Sequence, residues 1–295
     1  MKKTFIRILA ATAAAAVAAA VPFMSGCASS HPEAVITISY DGTDYQLNYK
    51  LYRNMYPQTV QHFIELADAG FYNNTIIHDY GASYFYGGSY SYNAEGYESD
   101  YETDFEEGEG AMREYFENNS KEQEYLNLFN DGKLTPSVYL DYLGGYKDAL
   151  PTVIGEVGET HVIQHGALQG GFGALRMFYS DKDLSDDSVD YSVYLDKDGN
   201  EDGSLIADYL QHSATSIFSI QTSTATGSTQ YCIFGQLTDT QPLTDLISAV
   251  SSSTSLTVSN VEVDLLDHFV GGSNYDSYTL RSQPIVIKSV QITRR

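Results

Sequence analysis

Residues 56–88 read YPQTVQHFIELADAGFYNNTIIHDYGASYFYGG, and this stretch decides the fold. Pro57 suits the first turn of a helix, where its fixed φ helps and its missing N–H is not needed. Val60, Phe63, Ile64 and Ala67 then recur at i, i+3, i+4 and i+7, one apolar stripe along a helix. Gly70 supplies the left-handed stop. After it the period changes. Asn73-Asn74 is turn chemistry, and Thr75, Ile76 and Ile77 are β-formers running into His78. The stretch predicts an amphipathic helix docked on a sheet.

Upstream, residues 34–40 (AVITISY) alternate as a strand, Asp41-Gly42 turns, and residues 45–52 (YQLNYKLY) alternate again. That is a hairpin leading into the Pro57 helix. A second helix is predicted where Pro242 precedes the stripe Leu243, Leu246, Ile247 and Val250. Two helices, each preceded by paired strands, with β-rich segments between and after them, fit a mainly β fold: an antiparallel barrel capped by helices.

The chain has 295 residues, 42% of them hydrophobic, with 25 tyrosines, 13 phenylalanines and no tryptophan, ample for one substantial core. Its 39 acidic against 16 basic residues give a net charge of −23, which argues against attraction to nucleic acid or to an anionic membrane surface. Residues 1–26 read as an address. Lys2, Lys3 and Arg7 form a positive start, an Ala/Val-rich apolar stretch follows, and Met24-Ser25-Gly26-Cys27 has the form of a bacterial lipobox. Cleavage before Cys27 would leave a lipidated N-terminal cysteine, a polar tether over 27–33, and one domain over 34–295. Cys232, in YCIFGQ, then has no partner for an internal disulfide and reads as a small core residue.

Pro57, Thr59, Val60, Phe63, Leu66, Gly70, Phe71, Tyr72, His78, Gly87 and Gly88 fall in order into a longer pattern. It is roughly A-P-x-T-V-x-N-F-x-x-L-x-x-x-G-F-Y-x-x-x-x-F-H-R-V, then an apolar run, then Q-G-G-D. In this the chain resembles the cyclophilin family of peptidyl-prolyl isomerases. The likeness continues in islands: Gly173-Ala174-Leu175-Arg176-Met177 for G-x-L-S-M-A, residues 216–220 (SIFSI) for S-Q-F-F-I, residues 233–237 (IFGQL) for V-F-G-x-V, and residues 283–292 for the last strand. A second copy of the first island, Gly166-Ala167-Leu168, lies nearby; the later one carries the methionine and is preferred. Three insertions separate the islands, at about 90–150, 181–211 and 251–282. The first is acidic and Tyr-rich, with helices expected around Met112 to Phe129 and, N-capped by Thr135, from Pro136 to Leu143. Its stretch from Glu95 to Glu109 is expected to be loosely packed, with the flanking helices near the mouth of a groove.

The resemblance implies a cyclophilin-like antiparallel barrel with two capping helices, and peptidyl-prolyl isomerisation without a cofactor. The barrier to that reaction is lost amide resonance, so catalysis means favouring the twisted peptide: an apolar pocket holds the proline ring and an arginine donates toward the prolyl nitrogen. The family's positions map here to His78, Asp79 and Arg176 as the catalytic neighbourhood. Ile77, Tyr84, Phe85, Tyr86, Ile217, Ser219 and Tyr231 map to the substrate-binding face. Several differ in kind: Asp79 stands for the arginine, Tyr86 for the glutamine of Q-G-G, Ser89 for the aspartate after it, and Ser219 for the phenylalanine flooring the pocket. Arg176 stands for the small serine beside that phenylalanine. A cation has entered where a ring has left and a carboxylate has appeared, so an ion pair between Arg176 and Asp79 is expected.

Asp198 to Tyr209 spaces like the start of a calcium loop but lacks the acidic twelfth residue, and His161 and His165 are four apart within a strand-like context; a hairpin turn and structural histidines account for them, and no metal is expected. The implied protein is a monomer on the extracytoplasmic side of a bacterial membrane, held there by its N-terminal lipid alone, that isomerises proline-containing segments of exported proteins. The other reading of the same residues is a catalytically silent cyclophilin-like binding module on the cell surface. Expressed with its leader in a bacterial host, the protein is expected in the membrane fraction, and Cys27→Ser should move it to the soluble fraction.

Overall fold

The computed structural model describes residues 29–101, 105–135, 153, 156, 168–179, 214–225, 232–262 and 275–295. The alternation of residues 34–52 becomes the hairpin β1 (Glu33–Tyr40) and β2 (Thr43–Leu51), turning at Asp41 and Gly42, both with positive φ. The stripe after Pro57 becomes α1 (Pro57–Asp68), stopped by Gly70 at φ 74°, and β3 (Thr75–Tyr80) and β4 (Tyr84–Ser91) follow. Further on lie β5 (Ala174–Tyr179), β6 (Ala214–Gln221), β7 (Cys232–Leu237), α5 (Gln241–Val250) and the closing β10 (Val286–Arg294). Between them sit α2 (Ala94–Tyr101), α3 (Phe105–Asn119), α4 (Glu122–Asn130), β8 (Ser255–Glu262) and β9 (Tyr275–Arg281).

Eight strands close into an antiparallel barrel in the order β1-β10-β3-β4-β6-β5-β7-β2. Closure leaves no barrel edge to pair with another chain. Leu47, Phe85, Leu175, Phe218, Phe234 and Ile287 fill it, all fully buried, and Phe63 of α1 brings its ring within 5.0 Å of Phe234 and 5.8 Å of Phe218. Close packing of this kind makes even a methylene count. At Gly88, where φ is 108°, a Cβ would stand 2.5 Å from the Ser216 carbonyl oxygen, so β4 can approach β6 only with glycine there.

The start of α1 shows how far tertiary contacts complete local structure. Tyr56, at its N-cap, offers no side-chain acceptor. The first-turn N–H groups of Gln58 and Thr59 instead donate to the two carboxylate oxygens of Glu156, at 3.1 and 2.9 Å, and Glu156 is fully buried. A carboxylate at a helix N-terminus meets both the unpaired donors and the positive end of the dipole.

Insertions one and three build a second core together. Tyr97, Met112, Tyr115 and Phe116 pack with Leu256, Val258, Val261, Tyr278 and Leu280 of the β8–β9 hairpin, and Ile76 and Tyr90 of the barrel complete the cluster. At the two ends of the stretch from Glu95 to Glu109, Tyr97 of α2 is buried and the Glu109 carboxylate accepts the Ser259 N–H at 2.7 Å; residues 102–104 and the side chains of 98–108, on which the expectation of loose packing bears, lie outside the described residues. The helix expected over 112–129 is two helices, broken where Ser120 bridges to Tyr90 and the Lys121 N–H donates to the Ser89 carbonyl. The helix expected from Pro136, the second insertion, His161, His165, the Asp198 loop, Cys27 and the leader lie outside the described residues.

Each seam between barrel and insertion holds a buried histidine. His78 lies with its ring centroid 5.2 Å from Tyr90 and 5.0 Å from Tyr278, and His62 accepts from or donates to the Tyr125 hydroxyl at 3.2 Å while stacking on Phe129 of α4. Among the described residues the Nδ1 of each is buried with no hydrogen bond of good geometry. Burial lowers His62 to about 4, with Glu65 pulling weakly the other way, and His78 to about 3, from the ordinary 6.5.

Two outcomes follow for stability. Glu156→Ala should lower the unfolding free energy by about 2 kcal/mol in urea titration, since two N–H donors lose a charged acceptor. As pH falls below 6.5 the unfolded chain takes up protons that the folded histidines refuse, so stability complete above that pH is lost toward pH 4. By pH 5 the loss should reach about 2 kcal/mol per histidine, and His62→Phe or His78→Phe should each flatten the slope.

Candidate active site

The sequence-derived positions converge on strands β3, β4, β6 and β5. Asp79 pairs with Tyr86, Tyr86 with Ser219, and Ser219 with Arg176, one row across four adjacent strands. Tyr86, Ser219 and Arg176 share the outer face, because the neighbouring row of Phe85, Ile220 and Leu175 is fully buried in the core. Gly87 pairs with Ile77 and Tyr86 with Asp79, so two residues of β3 advance against one of β4. That bulge lets the consecutive residues His78 and Asp79 both meet the β8–β9 hairpin, His78 through the Tyr278 ring and Asp79 through the Thr279 backbone.

For the expected ion pair between Asp79 and Arg176, the structure places both residues in this one row, with Tyr86 and Ser219 between them. Three inter-strand steps of ~4.8 Å set their backbones roughly 14 Å apart. The Asp79 carboxylate accepts the Thr279 N–H at 2.8 Å. Arg176 enters where the sequence placed it, beside Ser219: its Nε donates to Ser219 Oγ at 3.1 Å, its Cζ lies 3.6 Å from the Tyr84 ring centroid, and the residue is 5% exposed. The π face of Tyr84 and the Ser219 hydroxyl are among the groups that offset the desolvation of this cation.

The remaining positions divide. Tyr84 and Tyr86 are part-exposed on the outer face, and Ile217, two residues before Ser219, is buried. Ile77 and Phe85 belong to the barrel core. Ser89 is buried, its carbonyl bonded to Lys121, and Tyr231 lies outside the described residues. Sequence reading missed Phe178, whose ring meets Tyr86 edge-on at 5.8 Å. Its place two residues after Arg176 on a strand was the available signal. It also missed Arg281 of β9, stacked 3.9 Å from the Tyr80 ring centroid, and Thr279; both lie in an insertion with no counterpart in the pattern.

This face combines part-exposed tyrosine rings with a buried guanidinium. At the arginine position it presents an acceptor already engaged by β9, and it carries a guanidinium two strands further on, at the vacated ring. Among the described residues no three His, Cys, Asp or Glu side chains are grouped to hold a metal ion, and no helix is long and apolar enough to cross a membrane.

The family model for cyclophilin type peptidyl-prolyl cis-trans isomerase/CLD matches residues 35–265. Among solved structures, the chain is similar to a Cryptosporidium parvum cyclophilin type peptidyl-prolyl cis-trans isomerase at 14% identity and a TM-score of 0.40, over 90% of this chain and 99% of that one. It is also similar to the Mimivirus cyclophilin at 11% identity and a TM-score of 0.42, over 92% and 93% respectively. No curated protein sequence matches. With the family pattern running through most of its length and an eight-stranded closed barrel beneath it, this chain belongs to the cyclophilin-type peptidyl-prolyl cis-trans isomerase family.

Proposed function

We propose that the protein is a peptidyl-prolyl cis-trans isomerase of cyclophilin type, tethered by a lipid on Cys27 to the extracytoplasmic side of a bacterial membrane, where it assists exported proteins in folding. Proline isomerisation is slow enough to limit folding, so such a catalyst has work there. The observation that carries the reading is the Arg176 guanidinium, held on the outer face of β5 in the row that contains Asp79, Tyr86 and Ser219. In this reading Arg176 supplies the donor toward the prolyl nitrogen, Asp79 and His78 fix the β3 bulge at the edge of the face, and Ile217 and Ser219 form its floor. Isomerisation is slow, because the donor is displaced from the family's arginine position.

One observation favours the second reading, a catalytically silent binding module: the Asp79 carboxylate, at that arginine position, is an acceptor that serves β9. Isomerisation of a single-proline Xaa-Pro peptide, followed with and without the lipid-free domain, separates the two. The expected result is a catalysed rate that falls by roughly 10-fold to 100-fold in Arg176→Met. A rate equal to the uncatalysed one removes the isomerase reading and leaves the binding module.

A further inference from the structure

In a chain of net charge −23 cations are scarce, yet the barrel gathers Lys50, Arg53, Arg294 and Arg295 at one end. The register of β1 sets Glu33 between Lys50 of β2 and Arg294 of β10, one row across three strands. Arg53 lies just beyond the end of β2 at Leu51. Burial first, and then the charge of Arg295, hold the Arg53 guanidinium below its ordinary pKa, so these two cations stand near each other. Carboxylates answer only part of the set. Glu33 accepts from Arg294 at 3.2 Å, and Asp68 takes Arg295 through both oxygens, at 2.6 and 2.7 Å. Glu65, on the same helix as Asp68, is engaged by the hydroxyl and N–H of Thr135. Among the described residues Lys50 and Arg53 have no carboxylate partner, so this end carries an excess of positive side chains.

The same end is where the chain enters the barrel. Residues 29–32 are laid along the loop after β2 by hydrogen bonds. The Arg53 guanidinium donates to the Ser29 carbonyl at 3.4 Å, the Asn54 N–H to the Ser30 carbonyl at 3.3 Å and the Leu51 N–H to the Pro32 carbonyl at 2.8 Å, while the His31 ring meets Tyr52 edge-on at 5.7 Å. Cys27 precedes Ser29 by two residues, a reach of at most about 7 Å. A lipid on that cysteine therefore brings the headgroup layer within roughly 10 Å of Arg53, about a Debye length at ~0.1 M salt. The eight residues of β1 put the Asp41-Gly42 turn and the Asp44–Lys288 pair roughly 26 Å away, at the other end. Charge that distant is screened, so the local cations, and not the net charge of the chain, decide what this end feels.

We propose that Lys50, Arg53, Arg294 and Arg295 form a membrane-facing surface that meets the anionic headgroups of the bilayer to which Cys27 is tethered, and that they thereby orient the barrel. The proposal rests on the reading of Cys27 as the lipid anchor and deepens it. The lipid holds the protein, and the basic end turns the acidic remainder away from a surface of like charge. A lipid joined to a basic patch is a combination that binds membranes more stably than either alone. Orientation also places the candidate active site. In the closed strand order β1 lies four steps from β6 in either direction, so the face over β4, β6 and β5 is carried on the far side of the barrel from the β2-β1-β10 row.

The test places the lipidated protein in nanodiscs of phosphatidylcholine, alone or with phosphatidylglycerol added, and reads by mass spectrometry how fast each lysine is acylated by a water-soluble reagent. Lys50 reports the basic end and Lys288 the opposite one. On anionic discs Lys50 is expected to react roughly 3-fold to 10-fold more slowly than on neutral discs, while Lys288 reacts alike on both. The difference should vanish in ~1 M salt, where the Debye length shrinks to about 3 Å. Arg53→Gln with Arg294→Gln should return Lys50 to its neutral-disc rate, whereas Arg53→Lys with Arg294→Lys, which keeps the charge, should keep the protection. Equal Lys50 rates on both discs, or an equal slowing at Lys288, would overturn the proposal. So would protection of Lys50 on neutral discs by inorganic phosphate, which would make this a site for a soluble anion. The mass of the N-terminal peptide reads the lipid separately: a lipidated chain without Lys50 protection overturns this proposal alone, and a chain without the lipid overturns the anchor reading and this proposal with it.

Discussion

A backbone N–H removed from water needs an acceptor, and three carboxylates far apart in sequence meet that requirement here. Glu156 takes two backbone donors at the head of α1, Glu109 takes Ser259 at the bulge of β8, and Asp79 takes Thr279 of β9. The first fixes the helix that seats Phe63 in the barrel. The other two act on opposite strands of the inserted hairpin, whose donors would otherwise face a helix and a barrel strand unpaired. Part of the acidity of the chain is therefore structural: Glu156 caps α1, while Glu109 and Asp79 take backbone donors from within β8 and β9.

The hairpin's dependence on Asp79 bears on catalysis. In the family pattern an arginine donates from this position; here the position accepts, and what it accepts is part of the protein itself. His78 beside it is enclosed by Tyr90 and Tyr278, whose hydroxyls lie 3.1 Å apart. Strand β3 is thus shared between two cores, with Ile77 in the barrel and Ile76 in the second cluster. A bulge at His78 and Asp79 makes this sharing possible, because it turns two consecutive side chains toward the insertion. The part-exposed tyrosine rings and the Arg176 guanidinium consequently lie on the other flank of the face, over β4, β6 and β5.

On that flank the exchange of ring for cation has a local logic. Removing a phenylalanine at Ser219 would leave a cavity, and a cavity in a packed face is costly. Arg176 fills part of the space with an aliphatic stem and a flat guanidinium that can lie on Tyr84, while Tyr86 and Phe178 meet over the rest. The result is a face of rings where the pattern has a pocket.

The sequence by itself determined the barrel. The period-2 runs of residues 34–52, the 3.6 period after Pro57, the left-handed Gly70 and the paired glycines at 87–88 are local signals, and each records a steric or hydrophobic requirement that its own segment imposes. It also placed Arg176 beside Ser219, since neighbouring strands in a known order fix which residues sit side by side. Tertiary structure alone decided which partner each charge took. Asp79 chose Thr279, from 200 residues away, because a backbone donor lay within hydrogen-bond reach while Arg176 stood three strands off. Glu156 found α1, and the insertions found each other, for the same reason: hydrogen bonds and side-chain packing act over a few ångströms, and no periodicity in a sequence states which distant segments will come that close.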